Sequence, residues 1–231
     1  MYIQKLKARA NQSQENKMYM SNSLNLLINQ HFFAAFIARE NDKSFQEKVK
    51  PNLLRRDNYT CCYCGFQANQ HMYILNKNED YSSNKGNNHP NNMRVACPFC
   101  AQCHFLPEVG CGIGGGFLIA LPETPQAVLN GFCHVLFCAI ENNTGFKSAA
   151  LQVYRMLKTR AVIVDEQLAH EASNPIFFSS MCLEDEEILE KVKRGDKFKA
   201  LKLLPSRIAF AEESQTWSEE ALQEMSSGET S

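Results

Sequence analysis

The chain predicts an α+β fold in one compact domain, in which a small metal-holding unit containing strands precedes a helical C-terminal portion. Three observations predict it. Two CxxC pairs, in "RDNYTCCYCG" and "NNMRVACPFC", stand either side of a spacer of 32 residues. A glycine-rich stretch runs into the strand-like "FLIALPE", and apolar residues then repeat at helical spacing through two long segments. With 231 residues and 44% hydrophobic content, the chain can bury a core of this size.

Residues 1–22 are polar and lack a sustained period, so they are expected to form a flexible arm. Residues 23–107 make up the metal-binding portion. Within it, Leu24 to Ala38 reads as β-compatible with polar interruptions, and "NDKSFQEKVKPNLLRRDNYT" as a short helix broken near Pro51. The tract "KNEDYSSNKGNNHPNN" is a run of turn formers and reads as loop.

Residues 108–210 are expected to hold a glycine-rich turn, a short strand from Phe117 and helices. In the first helix Thr124 is the expected N-cap and Pro125 the opening residue, with Val128, Leu129, Phe132, Val135, Leu136 and Ala139 on one face. Thr144 is expected to cap the second, which carries Ala150, Leu151, Tyr154, Leu157, Ala161 and Val162 and is bounded by Asn174 and Pro175. The charged "LEDEEILEKVKRGDKFKALKLLP" predicts a third helix and a short extension. Residues 211–231 hold too little apolar content to pack and are expected to form a flexible acidic tail.

Composition excludes several function classes. The run Leu24 to Ala38 is interrupted by Asn25, Asn29, Gln30 and His31 and is too short and polar to cross a bilayer. Lys5, Lys7 and Arg9 are not followed by a compact apolar stretch and a cleavage site, so a cytoplasmic location is expected. The tail after Ala211 has six glutamates and no Lys or Arg, so a net charge of −1 leaves about +5 on the remainder. That body has no dense basic stripe of the kind a phosphate backbone attracts, and no nucleic-acid partner is expected.

Ten cysteines in a cytoplasmic chain with paired CxxC spacing point to thiolate metal ligation rather than disulfides. Cys61, Cys64, Cys97 and Cys100 supply four soft donors, a set that suits one tetrahedral structural zinc and leaves no open position for water. Cys62 and Cys103 adjoin the two pairs, with His104 beside the second, and are the alternatives for that register. The matching two-residue gaps favour 61/64 with 97/100.

The two knuckles resemble the HNH endonuclease superfamily, whose ββα-metal unit carries a catalytic histidine. The resemblance implies a histidine about ten residues beyond the first CxxC, where this chain reads Ile74, Leu75, Asn76 and Lys77, and another after the second, where it reads Ala101. Without that general base, and with a closed thiolate site, no catalytic residue and no enzymatic activity are expected. A displaced set of His71, Asn92 and His104 is the counter-reading, which would make the chain an HNH-class nuclease or a nucleic-acid-binding zinc module.

Further on, "GFLIALPE", "CHVLFCAIENNTGFKSAA", "VYRMLKTR" and "KLLPSR" resemble the IcmJ/DotN family of type IVB (Dot/Icm) secretion components, over about residues 24 to 210. The resemblance implies an HNH-like zinc unit joined to helices, serving as a subunit of the coupling complex that recruits effector proteins. It implies docking onto the C-terminal extension of the coupling ATPase, alongside adaptor subunits, and a peripheral place at the inner membrane reached only through that ATPase.

Three other features are read as structural. "GCGIGG" fits a phosphate-cradling pattern, but a strand follows it rather than a helix, so it is expected only to turn sharply. Cys133 and His134 are helix neighbours that do not face each other and are expected to pack in the core. Trp217, the only tryptophan, is expected to be either a docking anchor or a lone exposed ring in the tail.

Overall fold

In the computed structural model, the described residues are 24–28, 32–82, 87–142, 145–185, 187–188 and 199–227. The expected N-terminal arm, Thr144 and most of the charged segment after Asp185 lie outside them. The apolar run at the start divides into two conformations. Leu24–Ile28 is extended and pairs with the chain near Cys103, through Leu27 N–H to Cys103 O at 2.8 Å and Leu106 N–H to Leu27 O at 3.1 Å. Phe33–Glu40 is a helix, α1, where strand character was expected. Phe33, Phe36, Ile37 and Glu40 recur at helical spacing, and burying Phe36 against Phe105 at 4.7 Å outweighs the local preference of the aromatic residues for strands.

A π-helical turn, Phe45–Val49, leads into α2, Lys50–Arg56. Pro51 does not break the helix. It occupies the first turn of α2, where its missing N–H costs nothing, and the turn ahead of it widens so that Lys50 N–H reaches Phe45 O. Asn58 and Tyr59, at φ of 50° and 52°, then swing the chain out of α2 and into the first CxxC.

Strands β1, Tyr73–Asn76, and β2, Met93–Ala96, form an antiparallel pair with Ile74 opposite Val95 and Leu75 opposite Arg94. Side-chain amides hold the described part of their connecting loop together. Asn76 donates to Asp80 O at 2.6 Å, Asn78 to Asn87 Oδ1 at 2.7 Å and Asn92 to Asn78 Oδ1 at 2.9 Å. The four-residue helix α3, Pro98–Ala101, follows β2 directly, with Cys97 at its N-cap.

Gly110 and Gly114 adopt φ of +94° and +51°, conformations that turn the chain sharply before β3, Gly116–Ala120. β3 pairs antiparallel with β4, Leu201–Pro205, placing Leu118 opposite Leu203. The short extension expected after the charged segment is a strand, and pairing to β3 buries all five of its residues. Around this ribbon lie α4, Gln126–Glu141; α5, Lys147–Thr159; α6, Ala161–Gln167; and α7, Pro175–Glu184.

The helix boundaries differ from expectation in instructive ways. Pro125, not Thr124, occupies the N-cap of α4, and no side chain caps it. Asn174 and Pro175 start α7 rather than ending α5; Asn174 accepts a hydrogen bond from Ile176 N–H. The buried face of α4 is Leu129, Cys133, Leu136, Phe137 and Ile140, whereas Val128, Phe132 and Val135 are exposed. An all-round apolar helix offers two possible stripes, and the one bearing Asn130 and His134 is buried because those polar groups find partners there.

The described part of the acidic tail is folded, contrary to expectation. Ala211–Ser227 forms α8, whose Trp217 is only 3% exposed and whose Ser214 and Ser218 are buried. Trp217 donates from Nε1 to Gln70 O at 3.3 Å, and Glu220 accepts from Asn69 N–H at 3.3 Å. One large aromatic side chain, with a satisfied indole, docks a helix that is otherwise poor in buried apolar residues.

Candidate metal centre

Both knuckles are built by tight backbone turns. In the first, Gly65 N–H bonds Cys61 O at 3.0 Å, Cys61 N–H bonds Phe66 O at 2.8 Å, and Gly65 takes φ of +73°. In the second, Cys100 and Ala101 N–H groups both return to Cys97 O, at 3.1 and 2.8 Å. Cys62 N–H donates to Val95 O at 2.9 Å, which locks the first knuckle to β2 and so to the start of the second.

This local order brings Cys61, Cys64, Cys97 and Cys100 together, with their sulfur atoms all within 4.8 Å of one another. Among the described residues they form the group that could hold a metal ion. The alternatives lie elsewhere. The Cys62 thiol is buried outside the group, and Cys103 Sγ donates to Phe99 O at 3.3 Å. His104 Nε2 meets Tyr63 Oη at 2.7 Å, beneath the Arg94 guanidinium that lies 4.7 Å from the Tyr63 ring.

The thiols lie close enough to influence one another's ionisation. Burial opposes ionisation of Cys61, but hydrogen bonds from Cys100, Cys64 and Cys97 outweigh it and hold its pKa well below that of a free thiol. Burial pushes Cys97 and Cys100 well above it. Such a cluster carries one thiolate readily and ionises fully only when a cation compensates the charge, which is the chemistry of a thiolate metal site. The donor set therefore fits a soft divalent ion.

Helix α4 supplies a further layer that sequence reasoning missed. Asn130 Nδ2 lies 3.2 Å from Cys100 Sγ and also donates to Phe99 O at 3.0 Å. His134 Nε2 lies 3.2 Å from Cys97 Sγ, and its ring is sandwiched between Phe66 at 3.6 Å and Phe99 at 4.1 Å. Trp217 closes the sandwich edge-on, 5.0 Å from His134. Burial lowers the pKa of His134 to about 3, so the ring is neutral. The available signal was the spacing of Asn130 and His134, four apart in an apolar helix.

The members of the displaced His-Asn-His set are each engaged with different partners. His71 packs edge-on to Trp217 at 6.4 Å, Asn92 belongs to the amide network of the loop, and His104 pairs with Tyr63. Of the positions where the HNH resemblance implies histidines, Ile74, Leu75, Asn76 and Ala101 are wholly buried and Lys77 is exposed.

No protein-family model matches the chain. Over 207 residues it is 42% identical to the type 4 apparatus protein DotN of Legionella pneumophila (strain Philadelphia 1), an alignment spanning 87% of this chain and 92% of the relative. The chain belongs to the DotN family. This accords with the resemblance carried by "GFLIALPE", which begins with β3, and "CHVLFCAIENNTGFKSAA", which runs from the second half of α4 to the start of α5. No helix among the described residues of this DotN-family chain is long and apolar enough to cross a membrane.

Proposed function

We propose that the chain is a non-catalytic, zinc-stabilised subunit of a type IVB coupling complex that docks the C-terminal extension of the coupling ATPase and helps recruit effector proteins. The observation that carries this reading is the 42% identity, over nearly the whole of both chains, to a named component of a type 4 apparatus. Zinc held by Cys61, Cys64, Cys97 and Cys100 would cross-link the two knuckles, and four thiolates leave no position at which the ion could activate water. The ion therefore contributes to folding, and the chain to assembly.

The docking role has a candidate surface. Val128, Phe132 and Val135 form a continuous apolar stripe along α4 and are 58%, 44% and 43% exposed. An amphipathic segment of the ATPase extension, laid along that stripe, would cover it. Other coupling-complex and adaptor subunits would join through the same ATPase, which would hold the chain at the cytoplasmic face of the inner membrane.

Titration calorimetry of the zinc-quantified protein against the C-terminal extension of its cognate ATPase tests this, with a metal-dependent nuclease assay in parallel. One zinc per chain, saturable binding and no cleavage are expected. Absent binding, together with cleavage lost in His71→Ala or His104→Ala, would instead establish the nuclease reading.

A further inference from the structure

We infer that Asn130 and His134 of α4 donate N–H···S hydrogen bonds to two sulfurs of the metal centre and so govern how tightly the ion is retained. The inference rests on the metal reading above and adds residues on a third chain segment, about thirty residues beyond the second knuckle.

The orientation of both groups is determined by what surrounds them. Gln126 Nε2 donates to Asn130 Oδ1 at 2.9 Å, which fixes the carbonyl end of the amide and turns Nδ2 toward Cys100 Sγ. Gln126 is itself held by β4, donating to Leu203 O and accepting from Leu203 N–H, both at 2.8 Å. For His134, Nδ1 is buried with no hydrogen-bond partner, while Nε2 faces Cys97 Sγ. A proton on Nδ1 would be a buried donor with nowhere to go, so the ring carries its proton on Nε2, pointed at sulfur.

Two neutral donors aimed at two different sulfurs have a definite electrostatic consequence. Four thiolates around a divalent ion carry a net charge of −2, buried here among aromatic rings. Each N–H spreads part of that charge away from sulfur and disfavours protonation of the thiolate, which is the step that opens the site to exchange. Among the described residues no side chain of α4 donates to Cys61 or Cys64, so the second knuckle is the one α4 secures.

A crossed pair of substitutions in the full-length zinc protein separates the hydrogen bond from the ring. His134→Phe retains the stack between Phe66 and Phe99 but removes the donor; His134→Gln retains a donor but removes the ring. Zinc release to a chromophoric chelator is expected to be about tenfold faster in His134→Phe than in wild type, the lower end of what outer-shell changes produce. His134→Gln is expected to release zinc more slowly than His134→Phe. In cobalt-substituted protein, His134→Phe and Asn130→Leu should each shift the sulfur-to-cobalt charge-transfer band to lower energy, because the unbonded sulfur is easier to oxidise.

The reverse order, with His134→Phe like wild type and His134→Gln labile, would overturn the inference and assign His134 to packing alone. An unshifted cobalt band in Asn130→Leu would do the same for Asn130. A wild-type protein that binds no stoichiometric metal fails the earlier reading instead, and is seen before any variant is made.

Discussion

Burial holds the His104 imidazole at a pKa of about 3, far below the usual histidine value, with the Arg94 charge reinforcing the effect. A neutral buried histidine makes stability pH-dependent in a definite direction. The unfolded chain takes up a proton near pH 6.5 and the folded chain does not, so this contribution is complete above that value and is lost as pH falls toward about 3. Unfolding free energies from urea titrations below pH 6.5 should therefore fall more steeply in wild type than in His104→Gln, by up to about 1.4 kcal/mol per pH unit. Trp217 invites a second test at this scale. Its ring contacts Phe66, Phe99 and His134, so Trp217→Ala is expected to cost about 3–5 kcal/mol, read as a lowered urea midpoint. The sequence shows Trp217 as an isolated aromatic in an acidic tail because its partners lie some 80 to 150 residues away. Local composition cannot report a partner at that distance.

At the scale of elements, legibility followed how local the cause was. The CxxC turns, the sharp glycine turn and strand β3 were all readable because a few adjacent residues determine them. Helix α4 was readable as a helix, but not in its orientation, since both of its faces are apolar and the choice depends on Cys97 and Cys100 in another segment. Strand β4 was legible only as a short extension and helix α8 only as a flexible tail, because each is stabilised by a distant surface rather than by its own pattern. Gly114 provides a test of the glycine turn. A Cβ there would lie 2.5 Å from the Phe210 ring and 2.6 Å from Gln102 Oε1, at a φ of +51° that side chains disfavour. Gly114→Ala should cost about 1–3 kcal/mol, seen as a lower thermal midpoint. On α4, Phe132→Asp replaces an exposed ring and should leave that midpoint nearly unchanged. If the stripe is the docking face, the same change should weaken binding of the ATPase extension by roughly 30-fold, the loss of about 2 kcal/mol typical of a central aromatic anchor.

Across the whole molecule, the candidate metal centre is where the chain's separate parts meet. The two knuckles bring segments around residues 61–67 and 95–101; α4 brings Asn130 and His134; α8 brings Trp217 over the His134 ring. An ion there would neutralise sulfur charge that otherwise opposes burial, so its loss should be felt by every part at once. The expected outcome of chelation is therefore not local. Removing the ion leaves Cys97 and Cys100 as buried thiols, the donors of α4 lose their anionic acceptors, and the surface that receives Trp217 loosens. Because Trp217 is the only tryptophan, its emission reports this directly: it should shift to the red on chelation and return when zinc is restored. A red shift that tracks zinc release with a single time course would mean that α8 and the knuckles form one cooperative unit. An emission spectrum unchanged by complete metal removal would show instead that aromatic stacking alone holds α8, and that the two halves of the molecule are coupled only through the chain.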